Sequence, residues 1–526
     1  MQYVAKTTLF SGHNNIYSYR NEIYGEKSVM EDEKVKQRSQ KSTFAGDVLK
    51  MASAPLCTQI LGIILMPIVT RLYAPELYGV FNLFGSIVMP IAVFVSLGYS
   101  SSIVLPQRDE VASNMLCISL ALTVLMAVLT IPFIWLGSDL FLRWLKAPEL
   151  GIYLWLIPIN VFAHGLYLSL RFWNVRSKRF GRIAISRISN AVVNKGVLIG
   201  AGFSGFATPG SLIAGGIAGS MTMSGVLGGR IWRESGDLLK RSIRWHNIVQ
   251  GIKRYRKFPM YNLWTDFLSR LSASIIMFLF SFYFSKSVIG YYGLGLAVLG
   301  IPMTFIGSSI GEVFYQRGAR ARHKGTNASL VGNLFKQMTW MSMLPFLVLA
   351  VLGDSIFAFV FGANWSEAGV YAQILSFKIF VSFLISPILN LTNILEKQEV
   401  NLILRIAITI TSIVSITVGG LLNNIYVALC LLSLLDGLVL FGFGLYMIRC
   451  VGIPVSRIFS ILLKCFVSCV PIIIVIALAK WYFGASSLLL IIISAIGGII
   501  YYGILLKNDK VLRSTIIAVL RKTKST

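Results

Sequence analysis

An apolar run of about twenty residues is the length that crosses the hydrocarbon core of a bilayer as one helix. Such runs recur along this chain at 49–70, 78–98, 112–137, 150–170, 183–203, 209–229, 258–284, 288–315, 333–361, 369–390, 401–421, 424–447, 458–480 and 485–506. Fourteen spans leave little else for the chain to be. With 56% hydrophobic and 13% charged residues and a mean hydropathy of +0.73, the surface of a soluble protein of 526 residues could not be covered. The expected fold is an all-α polytopic membrane protein.

The formal charge of +27 invites a nucleic-acid reading, but the location of the charges argues against it. With the N-terminus inside, 40 of the 48 Lys and Arg residues fall on inner tails and connections and 5 on the outer side. That asymmetry is the positive-inside pattern of a plasma-membrane protein with both termini cytoplasmic, its basic connections facing anionic lipid. The segments expected are a polar tail (1–48), six helices (49–229), a basic linker (230–257), six helices (258–447), two more helices (448–506) and a basic tail (507–526). The first segment carries no apolar stretch of a secretory signal, and Met30 is an alternative start to Met1. The linker reads as a solvated connection whose basic clusters could also touch lipid headgroups. Six cysteines and four histidines are scattered, so neither a metal site nor a cofactor is expected.

"RLYAPELYGVFNLF" (71–84) joins the first two runs, and a fainter copy, "FSKSVIGYYGLGL" (284–296), joins the seventh and eighth. Gly79 and Gly290 each follow an aromatic residue by six positions, Tyr73 and Phe284 respectively. A proline comes after each glycine, at Pro90 and Pro302. The same punctuation at the same topological position points to a parallel repeat of six helices. Glycine there would permit an unusual backbone conformation or a close helix approach.

At these residues the chain resembles the bacterial polysaccharide flippases of the multidrug/oligosaccharidyl-lipid/polysaccharide exporter superfamily. "MPIVTRLYAPELYGVFNLFGSIV" (66–88), "IKRYRKFPMYNLWTDFLSRLS" (252–272) and "IGYYGLGLAVLGIPMTFIGSSIGEVFYQRGA" (289–319) carry the similarity, which extends over roughly 48–507. The resemblance implies two six-helix lobes in a V-shaped arrangement plus two C-terminal helices. It also implies alternating access that passes undecaprenyl-diphosphate-linked oligosaccharide, as in O-antigen synthesis, across the inner membrane. Membrane lipids, a polysaccharide polymerase and a chain-length regulator are the partners it suggests.

Charges deep in a span cost about 2.5–3.5 kcal/mol on insertion scales, so each asks for a reason. Arg270, Lys195 and Lys378 lie about ten residues inside their runs and are candidates to meet a diphosphate. The alternatives are an internal pair between Arg270 and Asp266, at i, i+4 spacing, and lysines bonded to helix carbonyls. Asp436 is a deep carboxylate with no basic neighbour in sequence, suited to ion coupling or to a bond with another helix. Arg71 and Glu76 flank the first connection, as an outer gate or as a solvated turn. His164 reads as a bonded packing residue, and Trp135, Trp144, Trp173 and Trp232 as an interfacial belt. Gly215 and Gly219 have the GxxxG spacing of close helix packing. Two other functions remain to be weighed. A membrane polymerase or ligase would be expected to show a large outer loop or paired carboxylates. A drug/cation antiporter on the same scaffold should favour an acidic cavity.

Overall fold

The computed structural model describes residues 57–242, 245–256, 263–303, 327–395, 397–483 and 487–508. The two tails and the "GSSIGEVFYQR" stretch (307–317) lie outside the described residues. Within them the chain is helical, and no strand occurs.

The first six long helices are α1 (Cys57–Leu72), α2 (Pro75–Val93), α3 (Asp109–Leu145), α4 (Ile157–Arg176), α5 (Phe180–Phe203) and α6 (Pro209–Ser242). A short helix α7 (Trp245–Arg254) follows. The next six are α8 (Leu263–Tyr283), α9 (Lys286–Leu299), α10 (Asn327–Phe361), α11 (Ser366–Ile385), α12 (Gln398–Leu421) and α13 (Ile425–Cys450). The chain closes with α14 (Val455–Phe483) and α15 (Ser487–Asn508). Each run expected from the sequence has its helix. Ten are long and apolar enough to cross a bilayer, and α4 makes an eleventh together with the bent turn Pro148–Leu154 before it. Large apolar side chains stand on the outside of α3, α14 and α15, among them Leu136, Phe133, Trp481 and Ile499, as lipid-facing helices require.

Local chemistry sets the helix ends. Pro75 opens α2, where its missing N–H costs nothing, and Glu76 in the first turn suits the positive end of the helix dipole. Asn424 caps α13, its side chain accepting from the N–H groups of Tyr426 and Val427. α3 ends at Lys146 in the left-handed conformation.

The segment expected as a plain linker is helical instead. α6 runs on to Ser242, and α7 is strongly amphipathic. Its apolar side lies on α3, where Gly251 packs against Met115. Tyr99 Oη donates to the Ile252 carbonyl (3.3 Å) and Asn114 Nδ2 to that of Ser242 (2.9 Å).

The repeated glycines meet each other. A Cβ on Gly79 would lie 1.8 Å from the Lys286 carbonyl oxygen, and one on Gly290 would lie 2.0 Å from that of Pro75. The contact is reciprocal, so α2 and α9 cross backbone to backbone at the start of each. Neither glycine has a positive φ. Close approach, and not an unusual backbone conformation, is the reason for glycine here. The GxxxG pair works the same way on a smaller scale, with Gly215 against Leu198 and Gly219 against Asn190 of α5. One apolar core runs from α2 through α9 to α11 and α13. Of the tryptophans expected in an interfacial belt, Trp135, Trp144 and Trp232 are exposed, whereas Trp173 is 4% exposed and belongs to the core of α3, α4 and α6.

Candidate functional site

α2 is the central element of the site. It packs on α4 and α6 of the first set and on α8 and α9 of the second. Its start carries the glycine contact at what we term the turn end of the bundle. Its finish lies at the opposite, arginine-rich end, termed the basic end.

The turn end is tied across the two sets by named bonds. Glu76 Oε1 on α2 accepts from Ser287 Oγ on α9 at 2.5 Å. Arg71 Nη2, on the last turn of α1, donates to the Phe359 carbonyl of α10 at 3.1 Å. Trp365 Nε1, in the connection from α10 to α11, donates to the Thr70 carbonyl at 2.7 Å, and its ring meets Tyr78 and Tyr291 edge-on. Lys286 Nζ donates to the carbonyls of Leu145 and Lys146, where cations favour a helix C-terminus. The sequence singled out Arg71 and Glu76, and both reach across the junction. Lys286, Ser287 and Trp365 went unnoticed because nothing in a linear reading distinguishes them from ordinary turn residues.

The basic end is closed more thinly. Phe94, just past α2, touches Phe267 and Trp264 of α8 with ring centroids 5.0 and 6.1 Å apart.

Between these ends lie the intramembrane charges. Lys378 is not a free cation: its Nζ is 2.6 Å from Asp436 Oδ2, and the Asp436 side chain is fully buried. Thr411 Oγ1 donates to Oδ1 at 2.5 Å and Ser412 Oγ to Oδ2 at 2.9 Å. Asp436 thus has its charge balanced and both oxygens bonded, and the diphosphate role suggested for Lys378 loses its basis. The partner sits on another helix, 58 residues away, outside what sequence spacing reveals.

The internal pair that spacing offered as the alternative does not form. Asp266 and Arg270 share one face of α8, both exposed, with no ion pair between them. Arg270 instead lays Nη1 3.6 Å from the sulfur of Met89 on α2. Lys195, half-buried on α5, makes no hydrogen bond or ion pair among the described residues. Arg405 was overlooked as an end-of-helix charge. It donates to Ser269, the neighbour of Arg270, at 3.2 Å. His164, expected to be a bonded packing residue, is exposed and makes no hydrogen bond among the described residues. Arg270 is the charged group that acts on it.

A family model described as "Polysaccharide biosynthesis protein" matches residues 68–370, more than half of the chain. The chain belongs to that family. It is 21% identical over 303 residues to the teichuronic acid biosynthesis protein TuaB of Bacillus subtilis (strain 168), a match covering 56% of this chain and 59% of that protein. Its fold is that of the lipid II flippase MurJ in an inward closed conformation, with a TM-score of 0.69 and 15% identity over 87% of this chain and 99% of the other. An inward-facing multidrug resistance transporter of the MATE family is also similar, at TM-score 0.55 and 17% identity over 77% and 98%.

Proposed function

We propose that this protein is a flippase that carries undecaprenyl-diphosphate-linked oligosaccharide across the bacterial inner membrane by alternating access, making and breaking no covalent bond. Membership of a polysaccharide biosynthesis family supports the substrate class, and the structural relative named as a lipid II flippase supports the reaction. The observation that carries the reading is Arg270: a guanidinium inside a span, accessible, with no carboxylate of the described residues within ion-pair distance. A planar cation of this kind meets a phosphate with two parallel hydrogen bonds. Lys195 adds a second cation without a partner among the described residues.

The antiporter reading is weakened by the same geometry. Its most suitable carboxylate, Asp436, is already held by Lys378. The enzyme reading would pair carboxylates at the turn end. There Asp354 bonds Lys480 at 2.7 Å, and Glu367 accepts from Tyr426 at 2.7 Å. Partnership with a polymerase and a chain-length regulator, and cytoplasmic termini, belong to the same proposal.

Surface polysaccharide in cells carrying Arg270→Gln tests it. Export should fall at least tenfold with membrane abundance unchanged, and Arg270→Lys should restore it in part, since lysine keeps the charge but loses the fork. Full export from Arg270→Gln would overturn the role of Arg270.

A further inference from the structure

His164 has no part in the reading above. It stands on α4, in the first set of helices, beside Gly165, which is pressed so closely on the turn that follows α2 that a Cβ would lie 2.6 Å from Val95. Arg270 stands on α8, in the second set, against Met89 of the same α2. Met89 near the end of α2 and Val95 in the turn just past it are the two anchor points, six residues apart in the chain. Both side chains are exposed, and neither has an acidic partner among the described residues.

The surroundings of His164 contain little else that could balance its charge. Within the spans, α2 beyond its first turn and α6 between Pro209 and Gly229 carry no charged residue. α3 keeps Asp109, Glu110, Asp139 and Arg143 at its ends, and α4 itself keeps Arg171 and Arg176 toward the basic end. The α5 helix contributes Arg182, Arg187 and Lys195, all cationic. The α8 helix offers Arg270, together with Asp266, which lies one turn away and does not pair with it. Asp266 apart, the charges these helices carry within their spans are cationic, and an incoming anion would compensate a protonated imidazole.

We propose that His164 and Arg270 form one anion site, shared between the two sets of helices, in which His164 takes up a proton when a diphosphate head group binds. The site rests on the diphosphate reading given above and adds to it a second anchor from the opposite set. Arg270 holds the anion at every pH, and His164 adds its two N–H donors when charged. The proton gained on binding is lost again when the halves part and the anion leaves.

The test uses the full chain, purified in detergent, with farnesyl diphosphate and inorganic diphosphate as separate probes between pH 5.5 and 8.0. The ligand's own protonation is common to all variants, so the quantity read is the affinity of wild type relative to His164→Gln. That ratio should be near one at pH 8.0 and rise to about tenfold at pH 5.5, as the imidazole becomes charged beside the bound anion. His164→Lys, with a fixed charge, should keep the higher affinity across the range. Equal melting temperatures check that the variants fold alike. A flat ratio, with Arg270→Gln still weakening both probes, overturns the histidine site and leaves the diphosphate reading standing. Unchanged affinity in both His164→Gln and Arg270→Gln sinks both. The same ratio for the two probes supports head-group contact, whereas a ratio confined to the farnesyl lipid overturns it.

Discussion

Lys378 and Asp436 show how a deep charge can be structural. Taking two ions out of water is costly, and what offsets it here is a 2.6 Å contact with both carboxylate oxygens bonded further by Thr411 and Ser412. Removing one partner strands the other. Lys378→Met should therefore cost about 3–5 kcal/mol and lower the amount of folded protein in the membrane. Lys378→Met combined with Asp436→Leu should regain that amount, and quantitative blotting beside surface polysaccharide reads both effects. Export recovered with abundance makes the pair a fastener. Abundance recovered without export makes Asp436 a coupling group. The sequence exposed these residues as anomalies through their depth, yet it could not pair them, because the bond joins α11 to α13. At Asp266 and Arg270 the reverse holds: helical spacing offered, as an alternative, a pair that the two exposed side chains do not make.

At the scale of elements, periodicity was a good guide wherever a helix is surrounded by lipid or protein. Every apolar run is helical over its long described stretches, because a bilayer tolerates no unpaired backbone groups. The pattern failed at 230–257, where polar residues hid a helical extension and the amphipathic α7. Its apolar stripe is short and interleaved with arginine and lysine, so charge masked the period. The glycine repeat was visible as a recurrence, but the sequence did not show that its two copies touch. Gly79→Ala must push α2 away from α9, since the new methyl would overlap a carbonyl oxygen at 1.8 Å. A cost of about 1–3 kcal/mol, typical of overpacking, is expected in thermal unfolding. Gly290→Ala should cost about the same. The double variant should cost less than the two together, because the first methyl already separates the helices. Strict additivity would mean that the two glycines do not share one contact.

For the whole molecule, the two ends of α2 differ in kind. The turn end joins the sets through Glu76 and Ser287, Arg71 and the Phe359 carbonyl, Trp365 and the Thr70 carbonyl, and the backbone crossing of the glycines. The basic end is held by contacts among Phe94, Trp264 and Phe267. Hydrogen bonds are directional and must all break together for the turn end to part. Aromatic edges, each worth about 0.5–1.5 kcal/mol beyond the area they bury, can slide and re-form. The basic end should therefore open first from this state, with the turn end as the barrier to release on the far side. Alternating access requires both to open in each cycle, which gives the proposal its sharpest test. Paired cysteines at Glu76 and Ser287, or at Phe94 and Phe267, in a background without native cysteines, can be oxidised to fix one end at a time. Each crosslink should stop export, and a reductant should restore it. Accessibility of a thiol placed at Arg270 should fall when Phe94 and Phe267 are joined and persist when Glu76 and Ser287 are joined. Complete crosslinking of Glu76→Cys to Ser287→Cys with undiminished export would show that the halves never separate at the turn end, and transport would then have to follow some route other than the one between α2 and α9.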